Sequence, residues 1–167
     1  MPSINNPRQV ILVSSRADIE IMGRKQVKDD IITLAWHMPA SFNPELYAIS
    51  IGKTRFSHKL ISDSKVFVIN FIPYELKKQA LFCGTRSGEH IDKFKEAGLT
   101  KEEAEKIDCP RIKEAIAYHE CEAINQIDTG DHTIFIGKIV NSELKANKKR
   151  LFQGDSSLKG YGFTTTE

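Results

Sequence analysis

The sequence predicts a mainly β protein, a barrel or a sandwich carrying a few short helices. Six runs rich in β-branched and aromatic residues recur at short spacing. Only a few short stretches between them look helical. None is long enough to serve as the crossover that a doubly wound parallel sheet needs. Closed or stacked antiparallel sheets are the architectures that accommodate this pattern.

The elements follow in chain order. Residues 10–15 (VILVSS), 30–36 (DIITLAW), 45–51 (ELYAISI) and 65–71 (KVFVINF) read as the first four strands. Between the last two, residues 57–63 suit a short helix with Ser57 as its N-cap. Residues 74–82 follow Pro73, whose fixed φ suits a helix start. A further helix over residues 90–97 ends at Gly98, and residues 101–106 suit one more helical turn. Residues 117–127 (AYHECEAINQI) and 132–144 (HTIFIGKIVNSEL) are two more strands. The intervening DTGD makes them a hairpin, because Gly130 can take a positive φ. Residues 145–167 read as an irregular tail, and residues 1–167 as one domain without repeats or a long linker.

Composition narrows the function classes. The chain has 167 residues, 40% of them hydrophobic and 28% charged, as in soluble globular proteins. Its 24 basic and 22 acidic side chains leave a net charge of +2 and are interleaved, so no field for a nucleic-acid backbone is expected. The basic run KANKKR at 145–150 reads as a solvated segment. No apolar run approaches a membrane span, and residues 1–15 lack a charged head followed by a long apolar stretch. The expectation is therefore a cytoplasmic protein with no membrane partner. Three cysteines without CxxC spacing fit a reducing compartment, and the five histidines lack metal-ligand spacing, so no metal is expected.

Three stretches carry candidate chemistry. In SIGKTRFSHKLI, Gly52 turns the chain straight after a strand. Lys53 and Arg55 supply cations, and Thr54 and Ser57 supply hydroxyls, where a helix is expected to begin. Open amides at a helix N-terminus beside an arginine fork suit a phosphate, although the spacing is neither a P-loop nor GxGxxG. An ordinary strand-to-helix turn with solvated charges would read the same. In TLAWHMPASFNP, a mostly irregular segment sets backbone donors at Ala40 and Ser41 beside Trp36, Met38 and Phe42. That combination suits a planar heteroaromatic ring, as it also suits core packing. In LFCGTRSGEHIDKF, a polar glycine-rich loop joins two helices, and Cys83 reads as a small buried residue rather than a nucleophile. His119 reads as structural, whereas His132, opening the second hairpin strand, can reach a pocket mouth.

Taken in order, ILVSS, DIITLAWHMPASFNPELYAISIGKTRFSHKLI, FVINF, LFCGTRSGEHIDKFKEAGLT, HECEAI and GDHTIFIGKIV resemble the flavin reductase-like family over residues 7–144. The chain is especially similar to the small archaeal and bacterial FMN-binding members that include the archaeal ferric reductase. The resemblance implies a split β-barrel that binds FMN at a homodimer interface. It places Thr33, Trp36, His37, Met38, Pro39, Ala40 and Ser41 along the isoalloxazine and ribityl parts. Ser50, Ile51, Gly52, Lys53, Arg55, Ser57 and His58 would lie on the phosphate side, with Arg55 and Ser57 foremost. Cys83, Gly84, Thr85, Ser87 and Gly88 would complete the pocket, and Lys93 would reach the phosphate or pair with an acid. His132 would stand near the flavin face as the catalytic residue, where a nicotinamide stacks. The implied activity is hydride transfer from NADH or NADPH to FMN, with electrons passed to a small-molecule or protein acceptor. The alternative is a tightly FMN-bound electron-transfer or ferric reductase-like protein with another donor or acceptor. Two departures stand out. The family's GRxNxMT is here GRKQVKDDIIT, with Asp30 and Ile32 at the Asn and Met positions, and the C-terminal LxxxGGxxY form is missing.

Overall fold

Runs of β-branched and aromatic side chains, buried on both faces in β2 and β6 and alternating in the first half of β10, form the strands, and the strand pairs among the described residues are antiparallel. The computed structural model describes residues 3–154 and 162–165. Its strands are β1 (Arg8–Gln9), β2 (Ile11–Ile21), β3 (Arg24–Leu34), β4 (His37–Phe42), β5 (Glu45–Gly52), β6 (Val66–Phe71), β7 (Lys101–Glu103), β8 (Pro110–Ile112), β9 (Ala117–Thr129), β10 (His132–Leu144), β11 (Phe152–Gln153) and β12 (Phe163–Thr164). The helices are α1 (Phe56–Ser64), α2 (Lys77–Thr85) and α3 (Lys93–Ala97).

Seven strands form one sheet in the order β3-β2-β6-β9-β10-β5-β4. The sheet curls into a split barrel, so one face of six strands shares a core that includes Val13, Ile32, Ile49, Phe67, Cys121 and Phe135. The opposite face of β2 and β3 packs Leu12 and Ile31 against Ala80 and Cys83 of α2 and Phe94 of α3. The helices therefore cover β3 from outside, and the end of β3 is where helices and barrel meet. Among the described residues, no helix is long and apolar enough to cross a membrane.

The strand and hairpin expectations at residues 45–51, 117–127 and 132–144 match β5, β9 and β10, and Gly130 has φ +61°. Other expectations need correction. Residues 16–29, to which the sequence assigned no element, are the outer half of a long β2–β3 hairpin, turning at Met22 and Gly23 with φ of +53° and +75°. The exposed half of β3 carries little apolar signal, and Met is a rare residue at positive φ, which hid the turn. The segment after Trp36 is not irregular. It is the edge strand β4, which accommodates Pro39 at a register shift because an edge needs no donor there.

Helix boundaries shift as well. Arg55, not Ser57, is the N-cap of α1, and the Ser57 hydroxyl is used elsewhere. The helix expected at 74–82 opens as a 3-10 turn, Tyr74–Leu76, and continues as α2. The one expected at 90–97 begins only at Lys93, with Asp92 capping the Lys95 amide, and ends at Gly98 as expected. Residues 101–103 form β7, paired to β8, because a strand partner ten residues on outweighs weak local helix propensity. The tail is not wholly irregular: Leu151 is buried, and β11 pairs with both β1 and β12. Residues 155–161 and 166–167 of that tail lie outside the described residues.

Candidate functional site

The end of β3, the first turn of α1 and the last turn of α2 enclose a cleft of three adjoining cavities, about 160, 280 and 180 Å³ in volume. Arg55 and Gly84 line all three. Local chemistry places Arg55. Gly52 ends β5, the Arg55 amide donates to the Gly52 carbonyl at 3.0 Å, and the helix starts at the next residue. The Lys53 amide donates to the Asp131 carbonyl at 2.9 Å, which pins this turn to the β9–β10 turn. No side chain caps the first turn of α1. Among the described residues, the exposed Arg55 guanidinium makes no ion pair or side-chain hydrogen bond, and Thr54 lines the cleft beside it. Arg86, across the cleft, makes no ion pair there either and rests over the Phe82 ring.

Beneath this polar end lies a buried charge network. Lys93 Nζ stands 3.0 Å from Asp30 Oδ1, with side-chain exposures of 3% and 1%. The same ammonium donates to the carbonyls of Ile31 (2.6 Å) and Cys83 (3.1 Å), and Ser57 Oγ donates to Asp30 Oδ2 (2.5 Å). Of the two roles open to Lys93, pairing with an acid is therefore the one the structure shows. The network ties β3, α1 and the end of α2 together, which are three walls of the cleft. Close packing completes it. A Cβ on Gly88 would collide with the Asp30 carboxylate, and one on Gly84 would stand 3.1 Å from Cβ of Thr33. Burial pushes the Cys83 thiol up to about 11, which fits an inert wall residue.

The other end of the cleft is more open and carries the Trp36 ring. Leu34, Ala35 and Trp36 line it together with Ser50, Gly52 and His132. The Trp36 and His132 rings are 4.8 Å apart and tilted by 34°. His132 Nδ1 is 2.7 Å from Asp131 Oδ1, and that hydrogen bond holds the Asp131 carboxyl below the usual range.

The structure thus gathers Thr33, Trp36, Ser50, Gly52, Arg55, Ser57, Cys83, Gly84, Thr85, Ser87, Lys93 and His132 around one cleft, with Gly88 packed behind it. Other candidates lie elsewhere. His37, Met38, Pro39, Ala40 and Ser41 lie on β4, outside the cleft lining. The His37 ring is occupied on both sides, donating Nε2–H to the Gln9 carbonyl and accepting from the Tyr47 hydroxyl, both at 2.8 Å. Ile51 is in the core, Lys53 pairs with Asp128 at 3.3 Å, and His58 shares a hydrogen bond with the Thr133 hydroxyl. Burial lowers the proton affinity of His58. His119, as expected of a structural residue, bonds Ser142 and packs on Phe71. Sequence reasoning missed Asp30, Arg86, Gln153 and Phe163 as cleft residues. An acid directly before the apolar run IITLAW was a usable signal for Asp30, since a carboxylate in such a strand needs a partner. Nothing local marked Gln153 or Phe163.

Comparison with known proteins adds the lineage. Residues 4–160 match the flavin reductase like domain. The chain belongs to the flavin reductase-like family. This family member is 38% identical to a protein of Archaeoglobus fulgidus over 114 residues, spanning 68% of this chain and 64% of that relative. It is 35% identical to a Pyrococcus abyssi protein over 111 residues, 66% and 63% of the two lengths. The matched region therefore spans just under two thirds of both relatives. Among solved structures, flavoredoxin of Desulfovibrio vulgaris has a TM-score of 0.83 at 22% identity, covering 100% of this chain and 91% of its own. The NADH:FAD oxidoreductase of Streptomyces globisporus has a TM-score of 0.81 at 19% identity, covering 97% and 87%. At these identities the two likenesses establish the flavin reductase-like fold.

Proposed function

We propose that the chain binds FMN in the cleft between β3, α1 and α2 and works as an NADH- or NADPH-dependent oxidoreductase that passes electrons to a small-molecule or protein acceptor. Arg55 carries the reading. An arginine side chain has no acceptor with which to cap a helix N-terminus, and its charge sits at the positive end of the α1 dipole, so the arrangement is unfavourable until an anion joins it. A phosphate would accept from the guanidinium and from the open first-turn amides together, which is the chemistry this end is built for. The donor set fits the phosphate of a flavin mononucleotide, and Leu34, Ala35 and Trp36, which line the neighbouring end, would border its ring.

Bound there, the flavin would supply the two-electron chemistry, accepting hydride from the nicotinamide and releasing electrons onward. The chain's residues bind, orient and shield. Arg55, Thr54 and the α1 amides would hold the phosphate, while Asp30 and Lys93 keep the three walls at fixed separation. Trp36 and His132 border the opposite end, where the donor would approach. FMN is favoured over FAD because α1 continues directly from the polar cluster. A homodimer is proposed as the working unit, supported by Met38 and Phe42, which stand 60% and 97% exposed on edge strand β4.

Titration with FMN, FAD and riboflavin tests the reading, with NADH and NADPH oxidation followed alongside. Arg55→Ala should weaken FMN by about 10- to 150-fold, the worth of a charge-assisted bond of roughly 1.5–3 kcal/mol, and leave riboflavin nearly unaffected. Equal losses for both ligands, or FAD binding tenfold tighter than FMN, would count against it.

A further inference from the structure

The cavity of about 280 Å³ at the polar end of the cleft is lined by Arg55, Ser57 and Lys93, three side chains able to donate to a phosphate. Two of the three are already committed. Ser57 Oγ donates its single hydrogen to Asp30 Oδ2 at 2.5 Å, and the two residues are 1% and 2% exposed. Lys93 Nζ has three oxygens within 3.1 Å, the carbonyls of Ile31 and Cys83 and Asp30 Oδ1. The Asp30 contact is an ion pair outside hydrogen-bond geometry. Gly88 packs directly over the same carboxyl oxygen, so the group is boxed in between loop and ammonium.

A carboxyl group in an ion pair accepts at both oxygens and donates at neither, so the hydrogen between the two residues belongs to Ser57. The capacity left on Ser57 Oγ is lone pairs, which repel a phosphate oxygen. An amide at position 30 would reverse this polarity. Its Nδ2 would donate to Ser57 Oγ, and the hydroxyl hydrogen would be released to the cavity. We propose that Asp30 is a positioning residue that sets how strongly the cleft prefers a phosphorylated flavin. By holding the Ser57 hydrogen and neutralising Lys93, it leaves the phosphate to Arg55, Arg86, Thr54 and the open α1 amides. The site therefore grips a phosphate less tightly than the same walls would with a neutral amide at position 30. The role rests on the flavin-cleft reading above, whereas the direction of the Ser57–Asp30 hydrogen bond does not.

The test is a double-mutant cycle read by flavin binding. Flavin-free wild type, Asp30→Asn, Ser57→Ala and the double variant are titrated with FMN and with riboflavin, which lacks the phosphate. Asp30→Asn should tighten FMN by about 10- to 150-fold, the worth of one hydrogen bond to a charged group, and leave riboflavin nearly unaffected. A merely structural role would move both ligands together. Ser57→Ala should cost at least about 10-fold more FMN affinity in the Asp30→Asn chain than in the wild-type chain. Because Asp30→Asn leaves Lys93 without its ion pair, the comparison is repeated in the Lys93→Met background, where Asp30→Asn should again tighten FMN alone. FMN no tighter in Asp30→Asn in either background, or a gain shared by riboflavin, overturns the proposal, while the Arg55→Ala result still decides the cleft reading. Equal costs of Ser57→Ala in the two chains overturn the route through the hydroxyl. Flavin bound by neither wild type nor Asp30→Asn overturns the cleft reading and this role together.

Discussion

Lys93→Met would remove the ammonium and keep most of the buried stem. Asp30 would then lose its counter-charge at 1% side-chain exposure, with the Ser57 hydroxyl as its remaining hydrogen-bond donor. The carbonyls of Ile31 and Cys83 would lose a charged donor at the same time. Breaking one side of a buried ion pair costs about 3–5 kcal/mol, because the surviving charge stays desolvated. At roughly 2–4 °C per kcal/mol for a chain of this size, the midpoint should fall by about 6–20 °C. Urea unfolding, followed by Trp36 fluorescence and circular dichroism, supplies the free energy. The decisive comparison is Asp30→Asn combined with Lys93→Met. Once the carboxylate is neutral, the double variant should be more stable than Lys93→Met alone by at least about 1 kcal/mol. A single variant within about 1 kcal/mol of wild type, or a double variant whose losses simply add, would refute the reasoning.

The remaining predictions concern pH, packing and assembly. Burial lowers the proton affinity of the His37 ring, only partly offset by the Gln9 carbonyl, and burial does the same to His58 and His119. Their folded pKa values lie below the unfolded value of about 6.5, so their contribution is complete above that pH and is lost as pH falls through the folded values. The urea midpoint should therefore drop between pH 7 and pH 5, and His37→Asn should flatten the slope by up to one proton, about 1.4 kcal/mol per pH unit. An unchanged slope would exclude His37 as a contributor. Gly88→Ala forces a Cβ into the Asp30 carboxylate and should cost about 1–3 kcal/mol by thermal melt; a neutral outcome would mean the loop shifts freely. Sedimentation equilibrium at micromolar concentration should show a dimer, which Phe42→Asp weakens; a wild-type monomer with full flavin stoichiometry would refute the assembly.

The readable parts of this chain are those whose physics is short-ranged. Runs of β-branched and aromatic residues marked the strands that became β5, β9 and β10, the glycines at 98 and 130 marked a helix end and a hairpin turn, and Pro73 marked the approach to α2. The polar cluster at the start of α1 was readable for the same reason, since Gly52 to Ser57 is one turn whose donors lie within six residues. The outer β2–β3 hairpin was not, because its charged half-strand has no buried face and is held by its ladder to β2. Nor did local sequence show β4, which contains Pro39 and exists because β5 offers it an edge.

The cleft itself is a product of tertiary structure. Lys93 finds the Ile31 carbonyl across 62 positions, Gln153 and Phe163 reach the cleft from beyond β10, and Trp36 meets His132 because β5, which bonds Trp36 at Ser50 and pairs with His132 at Gly52, stands between them. A sequence determines which charges must be neutralised if buried and which amides a helix start leaves open. It does not say which distant side chain arrives to meet them, because that depends on how sheet curvature and helix packing bring chain-remote surfaces within hydrogen-bond reach. The family's short-range features therefore stood in the sequence, while the partners of Asp30 and the lining of the cleft were decided by the fold.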